Sequence, residues 1–314
     1  MIDAWERLAF RERLWLCVIA SALICALAAY DSGLRLHVRS YALLIVTIFV
    51  AGVSPLIRPD RFGRLKPIIE ASDAILIFSV MGMIGAVASY VAMVRSGGMT
   101  DMALDRADQI IGFSWPAIRA AVDARPDLLS ILTQAYSLCF YLPFLIVAML
   151  ICTGRSERLY DFLAAYGSSL ILTIFIAFFF PAEAAFKFHD YANVPGNGLH
   201  YGTIIQGLRS GTLLDIDLVD LGGIVTFPSF HACMAILFVW ATWPCRFSRG
   251  PMLILNGAMW AAAVPIGGHY VIDLLGGSII AIVSISGTVH VRKVTRYPEC
   301  HQTASGYRVS VGTL

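Results

Sequence analysis

Two histidines and one aspartate are the residues of this sequence best suited to chemistry. His269 and Asp273 are four residues apart, about one helical turn, so the carboxylate can bond an imidazole nitrogen, fix its tautomer and raise its basicity. His231 stands at the start of an apolar run, where the free N–H groups of a helix start favour an anion. This pattern predicts phosphoryl transfer, with one imidazole attacking phosphorus and the other protonating the departing oxygen.

That chemistry requires both histidines to reach one place, and the chain between them predicts that they do. The 37 residues between His231 and His269 accommodate two membrane crossings and one short turn at 244–250, which carries Arg246 and Arg249. The chain would enter the membrane, turn and return. Both histidines are therefore expected at the same outer surface.

The elements that must position these residues are membrane helices, as the composition indicates. Of 314 residues, 58% are hydrophobic and 14% are charged, and the mean hydropathy is +0.74; soluble domains carry about 25% charged residues. The apolar residues form long blocks with almost no ionisable side chain, and they do not alternate as barrel strands do. We therefore predict an all-α fold, a polytopic membrane helix bundle.

About eight transmembrane helices are predicted from the apolar runs. The first is the least secure, because arginines ahead of a short apolar run also resemble a cleavable signal peptide. The predicted spans are 14–30, 41–57, 74–94, 128–152, 160–180, 230–245, 251–266 and 271–290.

The distribution of Lys and Arg predicts the orientation of the bundle. The N-terminus, the C-terminus and alternate connections hold 15 of these residues, and the other connections hold 8. Because cytoplasmic loops retain Lys and Arg, both termini are expected in the cytoplasm. We expect an integral protein of the cell inner membrane, with its active site on the periplasmic face.

Several other classes of site and partner are disfavoured. The seven cysteines are scattered without a C-x-x-C pair, which disfavours a zinc site or a disulfide framework. No Lys/Arg cluster is dense enough for a nucleic-acid-binding face. No metal and no cofactor are predicted, and the expected partners are membrane lipids. The sequence does not indicate an oligomeric state.

The two long outer connections are the places for extramembrane structure. Between 100 and 124, apolar residues recur at helical spacing with charged residues between them, which predicts helix along the outer membrane surface. Gly112 and Pro116 are expected to bend or split it. A plain connector that happens to be amphipathic fits the pattern equally well, and no chemistry is assigned to it.

Two motifs in this sequence resemble those of a known family. PSFH at 228–231 resembles the P-S-x-H motif of the type 2 phosphatidic acid phosphatase superfamily, and GHYVID at 268–273 resembles its H-x-x-x-D motif. Together, F-P-S-x-H followed by G-H-Y-x-x-D is similar to the branch that contains the inositol phosphorylceramide synthases and their bacterial relatives. The resemblance implies a six-helix core at 74–290. The apolar runs then predict two additional N-terminal transmembrane helices at 1–73, and the distribution of Lys and Arg predicts a cytoplasmic tail at 291–314.

The resemblance also implies a role for each motif residue. His269 would be the nucleophile that forms a phospho-histidine, Asp273 would orient it, and His231 would be the general acid or base. Ser229 would help to hold the phosphoryl group through its hydroxyl or its N–H. No metal is implied.

One departure from the superfamily pattern concerns the cation. Phosphatases of the superfamily carry Ser-Arg shortly before the second histidine, where this chain has Ala262 and Ala263; the inositol phosphorylceramide synthase branch likewise lacks that arginine. Some cation should offset a phosphate in a partly desolvated site. The candidates precede the P-S-F-H motif, and they are Lys187 and Arg209, with His189 and His200 as possible hydrogen-bond donors.

These features predict a membrane enzyme that acts on a phospholipid or lipid phosphate. In a transfer reaction, the phospho-headgroup would pass through His269 to a lipid alcohol; in hydrolysis, water would take the acceptor's place. The same residues serve both reactions. The alternative is a catalytically degenerate scaffold or a transporter-like protein, although transporters usually carry ionisable residues near mid-membrane, and the predicted spans carry none there.

Overall fold

The computed structural model describes residues 9–37, 53–191, 198–218 and 221–296. Within these ranges the chain forms eleven α-helices, two 3₁₀ segments at Ser54–Leu56 and Pro59–Leu65, and two three-residue strands. The helices are α1 Phe10–Asp31, α2 Lys66–Arg95, α3 Asp101–Ile110, α4 Trp115–Asp123, α5 Pro126–Cys152, α6 Ser156–Phe179, α7 Ala185–Phe188, α8 Gly198–Ser210, α9 Phe230–Thr242, α10 Arg249–Ala262 and α11 Val271–Arg296.

Five helical segments are long and apolar enough to cross a membrane. The predicted all-α membrane bundle is therefore confirmed. The sixth and seventh predicted spans form the shorter helices α9 and α10, of 13 and 14 residues, and most of the second predicted span, 41–57, lies outside the described residues. The five segments are Phe10–Asp31, Pro59–Arg95, Pro126–Cys152, Ser156–Phe179 and Val271–Val294.

Helix α6 lies at the centre of the largest apolar core. Its side chains Leu159, Phe162 and Leu163 have no exposed surface, and the Phe162 ring meets Phe238 of α9 edge-on at 5.9 Å. Within a bilayer such contacts stabilise the bundle through close packing rather than through removal from water. Large apolar side chains such as Ile254, 74% exposed, cover the outer surface of the bundle, as a lipid-facing surface requires.

One end of the bundle is tied together by the buried carboxylate of Asp73. This carboxylate accepts hydrogen bonds from the side chains of Arg11, Trp15, Ser54 and Tyr160. Helix α2 begins eight residues before the predicted span, so Asp73 lies inside the helix, two turns from its start. Because these bonds join α1, the 3₁₀ segment at Ser54–Leu56 and α6 to α2, the network fixes the mutual positions of α1, α2 and α6.

The opposite end carries the two short surface helices and a small parallel sheet. Strands β1, Arg35–His37, and β2, Asp215–Asp217, pair in parallel. The predicted amphipathic stretch is split, as expected, into α3 and α4, and Gly112 between them adopts a φ of +85°. The starts of α9 and α11, and with them both histidine motifs, lie at this end.

Candidate active site

Helix α9 begins at the first histidine motif, and its start is fastened to α11. The Ser229 hydroxyl accepts a hydrogen bond from the N–H of Ala232 at 3.3 Å, the ordinary arrangement of a helix N-cap. The Ser229 N–H donates to the backbone oxygen of Asp273 at 2.9 Å. The backbones of the two motifs are therefore directly bonded to each other.

Glycine at position 277 permits this close approach. A Cβ atom built on Gly277 would lie 2.0 Å from the Ser229 carbonyl oxygen, far inside van der Waals contact. The neighbouring Gly276 faces the side chains of Phe227 and Pro228. A Cβ atom built on Gly276 would lie 3.2 Å from Phe227 and 3.3 Å from Pro228, which is a tight contact. Only small residues on this face of α11 let the two helix starts meet.

His269 is held by a tight loop ahead of α11. Its N–H donates to the Ala263 oxygen at 3.2 Å. The preceding Gly268 adopts a φ of +69°, which favours glycine, and its Cβ position would lie 2.1 Å from a ring carbon of Phe186. Its carbonyl oxygen accepts from the N–H of Ala185 at 2.8 Å. The loop therefore packs directly on the short helix α7.

Two acceptors surround the Nδ1 atom of His269. The backbone oxygen of Thr226 lies 2.8 Å from Nδ1, and Oδ2 of Asp273 lies 3.3 Å from it. Since both atoms can only accept, Nδ1 carries the hydrogen, and Nε2 keeps its lone pair. Asp273 Oδ2 also accepts the N–H of Tyr270 at 2.9 Å. The predicted aspartate contact is present, but the shorter bond goes to Thr226, which spacing along the chain does not reveal.

The two imidazoles lie side by side, as the sequence predicts. The ring centroids of His231 and His269 are 6.2 Å apart, with the planes tilted by 55°. Among the described residues, no group bonds the buried Nε2 of His231 or the buried Oδ1 of Asp273. A buried polar atom without a partner costs about 1–3 kcal/mol. A substrate oxygen or hydroxyl placed between the rings could supply the missing partner of His231.

The surface helix α3 also positions the His269 motif, a role that the sequence analysis did not assign. Asp108 accepts hydrogen bonds from the N–H groups of Val271 and Ile272, at 2.8 and 2.9 Å. Asp101 accepts from the Tyr270 hydroxyl at 3.2 Å. These carboxylates lie on the inward face of α3, and Asp108 is only 1% exposed. A helix with acidic residues on its protein-facing side holds the first turn of α11.

Helix α4 holds the preceding part of the same loop. The indole N–H of Trp115 donates to the oxygen of Val264 at 2.9 Å, and the Arg119 guanidinium donates to the oxygen of Pro265 at 2.7 Å. Both side chains are almost fully buried. Together α3 and α4 supply hydrogen-bond partners to the backbone of Val264 and Pro265 on one side and of Val271 and Ile272 on the other, so the loop that presents His269 is held at both ends.

The burial of these carboxylates changes their acidity. Desolvation raises the pKa of Asp101, although bonds from the Glu183 N–H and the Tyr270 hydroxyl act in the opposite direction. Desolvation likewise raises the pKa of Asp108, although the hydrogen bonds from the N–H groups of Val271 and Ile272 lower it in part. Desolvation, and then the nearby Asp101 charge, raise the pKa of Glu183, while Lys187 and Arg209 lower it. Both predicted cations therefore lie close enough to Glu183 to act on its charge.

Of these two cations, Lys187 adjoins the histidine loop. It follows Phe186, which packs on Gly268, and its stem passes Gly202 of α8, with Cδ 3.6 Å from the Cβ position of that glycine. Among the described residues, no carboxylate oxygen lies within 4.0 Å of its ammonium nitrogen.

The remaining predicted phosphate ligands hold other elements. The Arg209 guanidinium donates to Ser96 Oγ at 3.1 Å and to the Gly97 oxygen at 2.7 Å. Nε2 of His189 lies 2.9 Å from Asp105, and its ring stacks on Trp115 with centroids 6.0 Å apart. His200 belongs to α8, and its side chain lies outside the described residues. No contact in the described part joins Arg209 or His189 to the histidine pair, and their role in binding phosphate stays a prediction.

Within the described ranges, no group of three or more His, Cys, Asp or Glu side chains is placed to hold a metal ion. The metal-free site stays a prediction.

These features define a class of protein: a polytopic membrane helix bundle that brings two imidazoles together at one end, the buried His269, which is bonded to a carboxylate, and the partly buried His231. Comparison with known families agrees. The family model of the PAP2 superfamily matches residues 102–287, more than half of the chain, and the chain belongs to that superfamily. Membership indicates an enzyme with phosphatase or phosphotransferase activity on phosphate esters. No curated protein and no solved structure matches the chain significantly.

Proposed function

We propose that this protein transfers a phosphoryl or phospho-headgroup from a membrane lipid through a phospho-histidine on His269, as the inositol phosphorylceramide synthase-like branch would. The observation that carries the proposal is the histidine pair, with centroids 6.2 Å apart and with Nδ1 of His269 bonded to two acceptors. In this arrangement Nε2 of His269 keeps the lone pair that a nucleophile needs, and a second imidazole lies beside it.

In the first step, Nε2 of His269 attacks phosphorus. A P–N bond forms, the P–O bond to the leaving group breaks, and protonated His231 gives its proton to the departing oxygen. The imidazole of His269 becomes positively charged as the bond forms. The Thr226 oxygen and the Asp273 carboxylate stabilise that charge through Nδ1–H.

In the second step, the acceptor regenerates the enzyme. His231, now neutral, takes the proton of water or of a lipid alcohol, and the acceptor oxygen attacks phosphorus while the P–N bond breaks. The protonated His231 is then ready for the next turnover. Hydrolysis and transfer differ only in the acceptor, so the same three side chains serve either reaction.

The phosphate oxygens would be held at the start of α9 and by Lys187. The first N–H groups of a helix point outward and favour an anion; in α9 these include the N–H of His231 itself. Lys187 adds a positive charge beside the loop that presents His269. Charge pairing of this kind makes a phosphate tolerable in a partly desolvated site.

The position of the missing superfamily arginine supports the transferase-like branch. Ala262 and Ala263 are fully buried beneath the His269 loop, and the Ala263 oxygen accepts the His269 N–H. Neither methyl group can pair with a phosphate, so these two positions supply no cation. The cation must come from elsewhere in the site, and Lys187 is the best placed of the predicted candidates.

Activity assays with purified protein test the proposal. The wild type would receive radiolabelled phospholipid with and without diacylglycerol or ceramide, and the products would be free phosphate, a new lipid and acid-labile phosphoprotein. We expect His269→Ala to abolish turnover and phosphoprotein, and His231→Ala to lose most turnover. His290→Ala is the matched control, because His290 is exposed at the far end of α11. Equal turnover by His269→Ala and wild type would refute the nucleophile, and an inactive wild type would favour the scaffold alternative.

A paired substitution tests the cation. Lys187→Gln should weaken substrate binding, raising KM about tenfold or more, since it removes a charge-assisted contact. Arg209→Gln should act mainly on stability, because its bonds go to Ser96 and Gly97. A raised KM in Arg209→Gln together with an unchanged KM in Lys187→Gln would instead assign phosphate binding to Arg209.

A further inference from the structure

The ring of Tyr136 lies parallel to the ring of His231. Tyr136 projects from α5, and the two centroids are 4.0 Å apart with an interplanar angle of 16°. This is a face-to-face contact between an aromatic ring and the imidazole proposed to move the proton. Tyr136 is remote in sequence from both histidines and belongs to neither motif, so the sequence pattern does not indicate this contact.

The same tyrosine ring also touches the second histidine motif. A Cβ atom on Gly267 would lie 2.7 Å from Cε2 and 2.9 Å from Oη of Tyr136. The ring therefore occupies the space that the missing side chain of Gly267 leaves open, two residues before His269. Tyr136 is wedged between His231 and the backbone of the His269 loop.

The Nε2 atom of His231 is buried, and no described residue forms a hydrogen bond with it. No hydrogen bond at this atom therefore fixes the rotation of the ring. The torsion that rotates an imidazole about its Cβ–Cγ bond has broad preferences of its own. The orientation of the ring must then come from packing. The flat face of Tyr136 on one side restricts that rotation, and His269 lies nearby with its plane tilted by 55°.

We propose that Tyr136 is a positioning residue for the reaction: its ring holds the His231 imidazole in the orientation that delivers a proton to the leaving oxygen. The inference rests on the proposed function. It assigns the role to the aromatic ring of Tyr136 and not to its hydroxyl. A proton donor is effective only when its nitrogen reaches the departing oxygen.

Two variants separate the ring from the hydroxyl. Tyr136→Phe keeps the stacked ring and should retain activity within about threefold. Tyr136→Leu removes the planar surface, and Tyr136→Met is a second variant with a flexible chain in case the first does not fold. Tyr141→Leu is the matched control, because Tyr141 lies on the same helix and is 69% exposed. Thermal unfolding in detergent would show which variants are folded.

Two substrates then distinguish positioning from a general loss of structure. A lipid phosphate has a poor alcohol leaving group that needs a proton, whereas p-nitrophenyl phosphate releases a stable phenolate that does not. We expect Tyr136→Leu to slow turnover of the lipid phosphate by about 100-fold, the scale of general acid–base catalysis. The initial burst of nitrophenol should remain close to that of the wild type.

Three outcomes would overturn the inference. An equal loss in lipid-phosphate turnover and in the nitrophenol burst would show a purely structural role, and an equal loss in Tyr136→Phe and Tyr136→Leu would assign the role to the hydroxyl. Full activity of the folded Leu and Met variants on the lipid phosphate would show that the stacked ring is not needed. A wild-type protein that turns over neither of these substrates and no radiolabelled phospholipid, with or without a lipid alcohol, would refute the proposed function itself, a result distinct from the other three.

Discussion

The carboxylate of Asp108 caps a helix that lies 163 residues further along the chain, accepting the N–H of Ile272 at 2.9 Å in the first turn of α11. The first four N–H groups of a helix have no acceptor within the helix, and Asp108 satisfies two of them, since it also accepts from Val271. That turn contains Asp273 and follows His269 directly. A surface helix thereby determines where the proposed nucleophile lies.

Removing this cap should weaken both stability and activity. Asp108→Leu leaves two buried N–H groups without an acceptor, which should cost about 1–3 kcal/mol of stability, and should lower kcat about tenfold or more by loosening the His269 loop. Asp108→Asn keeps one acceptor oxygen and should fall between this variant and the wild type. The measurements are thermal unfolding in detergent and kcat on a lipid phosphate.

Arg106→Gln is the control for this experiment, because Arg106 is exposed on the same helix. Wild-type activity in a folded Asp108→Leu variant would show that the cap does not position the histidine.

A second prediction concerns the contact between α11 and the start of α9. Gly277→Ala would place a Cβ atom 2.0 Å from the Ser229 oxygen, so the two helices must separate. We expect activity to be largely lost and the unfolding temperature to fall.

Gly287→Ala on the same helix provides the comparison, since its Cβ position has no neighbour within 4 Å. This change should be neutral or stabilising by about 0.5–1 kcal/mol, the general gain of replacing glycine by alanine in a helix. Similar behaviour of the two alanine variants would contradict the proposed close packing.

The Asp73 network predicts a change of stability without a change of chemistry. Asp73→Ala would leave the Arg11 guanidinium, 11% exposed, without its carboxylate, and breaking a buried ion pair typically costs about 3–5 kcal/mol. The histidines lie at the other end of the bundle. We expect a lower unfolding temperature, with kcat close to the wild-type value at a temperature where the variant is folded.

The exposed pair Lys66–Asp60 serves as a comparison, because Asp60 is 81% exposed. Asp60→Ala should change stability by less than about 1 kcal/mol. An equal effect of the two substitutions would show that the Asp73 network does not tie the helices together.

The pKa of Asp101 predicts a pH dependence of stability. Burial raises this pKa above its ordinary value of 3.8, so the folded protein binds a proton more tightly than the unfolded chain. The contribution of Asp101 to stability is therefore fully present below the ordinary value and is lost as the pH rises through the raised one. The stability of wild type relative to Asp101→Asn should accordingly decrease as the pH rises above the ordinary value of 3.8.

Thermal unfolding across this pH range checks the prediction. Asp127→Asn is the control, because Asp127 is exposed. It shows how much the loss of a carboxyl group changes stability when that group is not buried. A constant difference between wild type and Asp101→Asn would rule out a proton-linked role of this residue.

Local sequence patterns predicted several parts of the site correctly. The four-residue spacing of His269 and Asp273 placed the carboxylate near the imidazole, because a helix turn brings such positions onto one face. The length between the histidines predicted their convergence, because two helices and a turn return the chain to the same end. Glycine at position 112 marked the split between α3 and α4.

Other parts could not be predicted from local pattern. The acidic side of the stretch at 100–124 resembles a solvent-exposed face, but in the structure Asp101, Asp105 and Asp108 are at least nine-tenths buried. Periodicity shows that two faces differ and does not show which one meets the protein. Here the charged face turns inward, because backbone N–H groups and a tyrosine hydroxyl at the His269 motif need acceptors.

By itself, the sequence determined a membrane bundle, a pair of histidines at one end and the aspartate that accompanies one of them. These properties depend on composition and on spacing within a helix, which involve neighbours along the chain. Only the tertiary structure decided that the Thr226 oxygen makes the shorter bond to His269, that Tyr136 stacks on His231 and that Asp108 caps α11. Each of these contacts joins segments far apart in sequence, and its geometry exists only once the helices have packed.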